Sequence, residues 1–199
     1  MDFTELLVEE ASKAYREQNN GNPWLTSKFG VMNELKLDFS GKAGERFLHS
    51  ICVNLGIPCE FTEDIIDTEG HYDMHILDLR VEVKTARRSN KKVNYQHEGL
   101  KNEGCDGFAF IDIDPIDDAI YLTLLSGNID LSKKIITLGK SAHLRLATEG
   151  VYKLDFSGKT LRLGLEDGLT FRIDNSTTKD ELRSFIVDSL TAISEGRNV

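Results

Sequence analysis

Apolar residues recur with two different periods along this chain, and the change between them divides it into segments. From residue 2 to 17, Phe3, Leu6, Leu7 and Ala14 share one helical face, and Asp2 and Glu5 have capping-box spacing, which predicts a first helix. Residues 19–34 are rich in Asn and Gly and contain Pro23; they predict a loop tethered to the core by Trp24 and Phe29. A second helix is predicted from about Gly41 to Leu55, with Phe47, Leu48, Ile51, Cys52 and Leu55 facing inward and Gly56 and Pro58 ending it. The period then drops to that of a strand. Residues 60–66, 71–77 and 80–86 predict three strands, with a very tight connection at Asp78-Leu79.

Residues 93–104 are polar and predict a short helix. Phe108 to Ile113 reads as a buried strand, with Ala119 to Leu124 as its neighbour. The stretch 128–147 is ambiguous, with helix favoured for part of it. Residues 151–173 predict a small antiparallel meander turning at Ser157-Gly158 and at Glu166-Asp167-Gly168. A last helix begins at Thr178, where Thr178 and Glu181 form a capping box and Leu182, Phe185, Ile186, Leu190 and Ile193 make the inner stripe. The hexapeptide Leu-Asp-Phe-Ser-Gly-Lys occurs at 37–42 and again at 154–159, but its flanks differ, so it signals coincidence or shared turn chemistry and not duplication. The order of elements implies one mixed α/β domain over residues 1–199, with a central sheet.

Composition narrows the class. Of 199 residues, 40% are hydrophobic and 29% charged, which is ordinary for a folded domain and unlike a disordered chain. The three cysteines, Cys52, Cys59 and Cys105, are too few and too scattered for a disulfide framework, so reduced thiols are expected. No apolar run is long enough to span a bilayer, and the acidic N-terminus lacks the features of a signal peptide; a cytoplasmic protein is the expectation. A formal net charge of -9 argues against a general nucleic-acid coat, yet leaves room for local phosphate contact.

The segment from Tyr72 to Lys84 carries the chemistry. On a strand, Glu82 and Lys84 project together while Val81 and Val83 project the other way. If the strands pair through the tight turn, Asp73 comes broadly opposite the Glu82–Lys84 end. Two carboxylates suit a hard cation such as Mg2+, and the Val83 carbonyl is a further candidate ligand. Such a metal polarises a phosphodiester and acidifies a bound water, while a lysine stabilises developing charge or orients that water.

Asp73 followed by Glu82-Val83-Lys84 resembles the PD-(D/E)XK nuclease superfamily, whose fold is restriction-endonuclease-like. Gly41-Lys42-Ala43-Gly44-Glu45 opens the upstream helix, where many members carry a glutamate that contacts metal or its waters; Glu45 maps to that role. Gln96 lies where some members place an active-site glutamine. Tyr72 stands where the family name implies a proline, a position that varies widely. The resemblance covers roughly residues 41–125. It implies a central mixed sheet flanked by helices, Mg2+-dependent phosphodiester cleavage with Mn2+ as a substitute, and usually a DNA substrate. Double-stranded cutting usually requires two active sites, so a homodimer is expected.

Lys84, Arg87, Arg88, Lys91 and Lys92 form a basic strip with no acid among them, suited to backbone phosphates and extended by Tyr95 and His97. His71, Asp73 and His75 alternate and offer a transition-metal site as a weaker alternative; His75 otherwise lines the nuclease site. His143 is a second candidate for DNA contact, with a surface histidine as the plainer reading. Asp112, Asp114, Asp117 and Asp118 look like a metal cluster, but Pro115 and the hairpin position favour a solvated turn. The leading expectation is an endonuclease of type II restriction or mobile-element kind. A Holliday-junction-type resolvase, a non-catalytic DNA-binding module and, weakest, a structural protein are the alternatives.

Overall fold

The computed structural model describes residues 3–18, 20–61, 72–89, 93–101, 104–127 and 142–196. Helices α1 (Phe3–Gln18), α2 (Gly30–Glu34) and α3 (Leu37–Leu55) come first, followed by strands β1 (Cys59–Phe61), β2 (Met74–Ile76) and β3 (Leu79–Arg87). Next come β4 (Asn94–Leu100), β5 (Gly107–Asp114), β6 (Ala119–Ser126), β7 (His143–Thr148) and β8 (Val151–Ser157), then α4 (Gly158–Glu166), β9 (Thr170–Ile173) and α5 (Lys179–Ser194). A six-stranded sheet has the order β1-β2-β3-β5-β6-β9, and a three-stranded sheet has the order β4-β8-β7. Only β3 and β5 run parallel within the larger sheet, so it is mixed, as expected.

Two apolar clusters lie on opposite faces of the large sheet. On one face Val81, Val83, Ala109 and Ile111 pack with Leu48 and Cys52 of α3 and with Leu182, Ile186, Leu190 and Ile193 of α5. On the other, Phe108 and Phe110 pack with Tyr95, Leu154 and Phe156 of the small sheet and Leu161 of α4. Helices therefore cover one face and the small sheet covers part of the other. Strand β5 is buried at every position because it is central and covered on both sides. No helix among the described residues is long and apolar enough to cross a membrane.

Local chemistry explains most boundaries. Gly56 ends α3 in the left-handed conformation, at φ 65°, and its N–H donates to carbonyls of the last turn. Trp24 is buried and Phe29 packs against the helical-face cluster, as their tethering role requires. The expected loop around them contains a short 3-10 turn, Pro23–Leu25, as well as α2. The capping box of Thr178 and Glu181 opens α5. Strand β2 turns into β3 through Leu77 and Asp78, both at positive φ, one position earlier than the expected connection.

Two expectations are corrected, and a third lies mostly outside the described residues. Residues 94–100 form strand β4, not a helix; Tyr95, His97 and Leu100 are buried and the residues between them are not. The period is two from Tyr95 to His97 and is broken by an irregularity before Leu100, and the polar groups of Tyr95 and His97 disguise it further. The ambiguous stretch 128–147, with helix favoured for part of it, lies outside the described residues from 128 to 141, and residues 143–148 form β7. The expected meander contains helix α4, and β9 leaves it to join the large sheet beside β6. Leu161, Leu163 and Leu165 alternate like a strand, but Ser157 and Thr160 close a capping box that starts a helix. The repeated hexapeptide takes two conformations. At 37–42 it is all helix, while at 154–159 it finishes β8 and begins α4.

Candidate active site

The register of β2 and β3 sets the site. Met74 pairs with Val81, His75 with Arg80 and Ile76 with Leu79. Met74, Ile76, Val81 and Val83 belong to the helical-face cluster, so His75, Arg80, Glu82 and Lys84 project from the opposite face. The ladder stops at Met74. One residue earlier, the backbone N–H of Asp73 still donates to the Val81 carbonyl at 3.0 Å. The Asp73 side chain then replaces the missing strand, as its Oδ2 accepts the Val83 N–H at 2.7 Å. The two strands separate here, and Asp73 satisfies the backbone donor that the separation exposes. The N–H and C=O of one strand residue point to the same side. The Val83 carbonyl therefore faces the same gap.

Asp73 and Glu82 are electrostatic neighbours. Lys84 Nζ donates to Glu82 Oε1. Burial pushes the Asp73 carboxyl above its ordinary range, against the opposing pull of the Val83 N–H and Lys84. Burial likewise raises Glu82, with Lys84 opposing and Asp73 and Glu45 adding to the rise. The site thus holds more negative charge than its one lysine offsets.

Glu45 acts on Glu82 through its charge alone, from a helix, α3, that crosses β3 closely. A Cβ on Gly44 would fall 1.8 Å from Thr85 Oγ1, so only glycine permits the approach. Thr85 lies under the helix with its hydroxyl buried and unpartnered.

Other expected members lie elsewhere. Gln96 is exposed on β4, in the small sheet. Tyr95, expected on the basic strip, is fully buried, and its hydroxyl donates to Asp114 at 2.7 Å. Arg87 donates to the carbonyls of Met32 and Leu35. Arg88 makes hydrogen bonds to both oxygens of Asp114 at 3.0 and 2.8 Å. These two arginines hold the fold together and do not form a free phosphate surface. Lys91, Lys92 and His71 lie outside the described residues. His143 is exposed on β7.

Asp112 and Asp114 are not in a solvated turn. They are 0% and 2% exposed, on the last positions of β5. Asp112 Oδ1 bonds His97 Nε2 at 2.9 Å, so His97 is also withdrawn from any surface role. Asp117 and Asp118 are exposed at the hairpin, as expected.

Three features went unread in the sequence. Tyr72 and His75 stack, with ring centroids 5.0 Å apart and planes 10° apart. Arg80 pairs with both oxygens of Asp106, and its own N–H donates to Asp106 Oδ2, which fixes the start of β3 against the approach to β5. Burial pushes the Cys105 thiol up to about 12, and the carboxylates of Glu82 and Asp106 add to the effect.

Among the described residues, no three or more His, Cys, Asp or Glu side chains converge as a metal cage. Magnesium does not require one, since it is commonly held by one or two carboxylates, waters and substrate phosphate. Asp73 and Glu82 supply that smaller donor set, and their surplus negative charge fits a divalent cation. No family model, curated protein or solved structure matches the chain.

Proposed function

We propose that this protein is a Mg2+-dependent DNA endonuclease of restriction-endonuclease-like fold. The observation that carries the reading is the Asp73 carboxylate capping the Val83 N–H where β2 leaves β3, in the same electrostatic neighbourhood as Glu82 and Lys84. Two close carboxylates and an ammonium at a sheet edge are what phosphodiester hydrolysis demands of a protein.

Asp73, Glu82 and the Val83 carbonyl would hold the cation, with Glu45 next to its waters. When bound, Mg2+ supplies charge neutralisation at the phosphate and a more acidic water. The chain's own contribution is positional. The Val83 N–H fixes Asp73, and Lys84 fixes Glu82. The ammonium of Lys84 stabilises negative charge gathering on the phosphate, or orients the attacking water. Cutting two strands calls for a second site, which a homodimer supplies.

The test is cleavage of supercoiled plasmid and of branched DNA, with Mg2+ or with chelator. Lys84→Ala should lower the rate about 100-fold or more, the scale of losing one well-placed charge-stabilising donor. Metal-independent binding with no cleavage of any substrate would replace this reading with a non-catalytic module.

A further inference from the structure

The sheet face that bears Glu82 and Lys84 also bears an aromatic stack. Tyr72 and His75 are half-buried and stacked nearly parallel, with planes 10° apart. They flank Asp73 in the chain, so the stack adjoins the carboxylate pair. Tyr72 packs against the cluster under the small sheet, which anchors the stack on a rigid base. His75 sits between Glu60 on β1 and Arg80 on β3, its cross-strand neighbours on the same face.

The charge balance makes this stack informative. Arg80 is committed to Asp106, Arg87 to backbone carbonyls and Arg88 to Asp114. The chain carries a formal net charge of -9. Phosphate attraction from these arginines is therefore weak, and a nucleic acid held here needs another source of affinity. Stacking of a base on an aromatic ring is such a source, and it is largely indifferent to sequence. In continuous duplex each base already stacks on its neighbours and cannot reach a protein ring without being extruded. A ring platform next to the metal-binding carboxylates therefore selects strands that already have an unpaired base.

We propose that the Tyr72–His75 stack is a platform for an unpaired nucleobase beside the scissile phosphate, so that the substrate is DNA with a single-stranded or branched segment and not continuous duplex. This rests on the nuclease reading for the reaction, but not for the binding.

The experiment uses 2-aminopurine at the first unpaired position of forked DNA, and the same base inside a matched duplex as control. Full-length Lys84→Ala protein with Mg2+ keeps the DNA whole. The fluorescence of the forked probe should fall on binding, and forked DNA should bind at least about tenfold more tightly than duplex. His75→Ala should abolish the quench and weaken binding about tenfold. His75→Trp, which keeps a ring but neither the imidazole's charge nor its acceptor, should retain both. Far-UV circular dichroism and a melting curve establish that each variant folds. Equal affinity for duplex and forked DNA, an unchanged quench in His75→Ala, loss of binding in folded His75→Trp, or no binding to any DNA each overturns the platform. Cleavage by the wild-type protein is scored separately. Cleavage without quench removes the platform and leaves the nuclease, while quench without cleavage does the reverse.

Discussion

Asp73 is held between opposing demands, and the balance decides what its substitution does. Its carboxylate makes a charge-assisted bond to the Val83 N–H, yet burial raises its protonation point, and Glu82 is an electrostatic neighbour. A carboxyl raised in the folded state binds more protons there than in the unfolded chain. Stability then falls as pH rises from the ordinary aspartate value near 4 toward the raised folded value, and the deficit persists above it. Asp73→Asn keeps an oxygen for the Val83 N–H and removes the charge. We expect the variant to melt higher than wild type at pH 7, the advantage to vanish below about pH 4, and cleavage to drop about 100-fold or more. Melting curves across pH check the first part, and an advantage that grew toward acid would refute it. Asp73, Glu82 and Lys84 were legible because they lie on a short hairpin where period two fixes direction. Tyr95 and Arg88 were not, since the acid that claims both, Asp114, is 19 and 26 residues away.

Among the elements, α3 and β3 depend on each other most directly. The helix lies this close to Thr85, with the Glu45 charge acting on Glu82, only because residue 44 has no side chain. Gly44→Ala should push the helix off the strand, costing about 1–3 kcal/mol, with a matching loss of cleavage as Glu45 withdraws. Thr85→Ala removes the hydroxyl and methyl that the new Cβ would strike, and the hydroxyl has no partner to lose. The double variant should therefore be more stable than Gly44→Ala alone, a non-additivity that chemical denaturation measures. Strictly additive effects would show that the crossing distance is set elsewhere. Helices α1, α3 and α5 and the β5–β6 hairpin were legible from caps and apolar runs, which are local signals. Strand β4 and helix α4 were not. The first is buried through polar residues, and the second was decided by a capping box against an alternating run of leucines.

At the scale of the whole molecule, the small sheet rests on the large one through polar contacts set in an aromatic interior. His97 on β4 and Asp112 on β5 are both fully buried, and the imidazole meets Phe110 and Phe156 edge-on at 4.8 and 5.5 Å. His97 Nδ1 and Asp112 Oδ2 have no further partner. Removing one member of such a pair strands the other, which costs more than the pair itself contributes. Asp112→Leu should therefore destabilise the protein by about 3 kcal/mol or more, because the histidine loses its acceptor. Asp112→Asn keeps an oxygen for Nε2–H and should cost about 1 kcal/mol. Adding His97→Phe to Asp112→Leu replaces both polar groups with apolar ones and should recover much of the loss. Urea unfolding of the four proteins decides the matter. If the double variant were no better than Asp112→Leu, the aromatic cage would be the true joint between the sheets. The same strand β5 pairs with β3, setting Phe108 beside Glu82 and Phe110 beside Lys84. A joint that loosens at Asp112 should thus slow cleavage before it unfolds the chain, and the rate of Asp112→Leu measured well below its melting temperature will show whether it does.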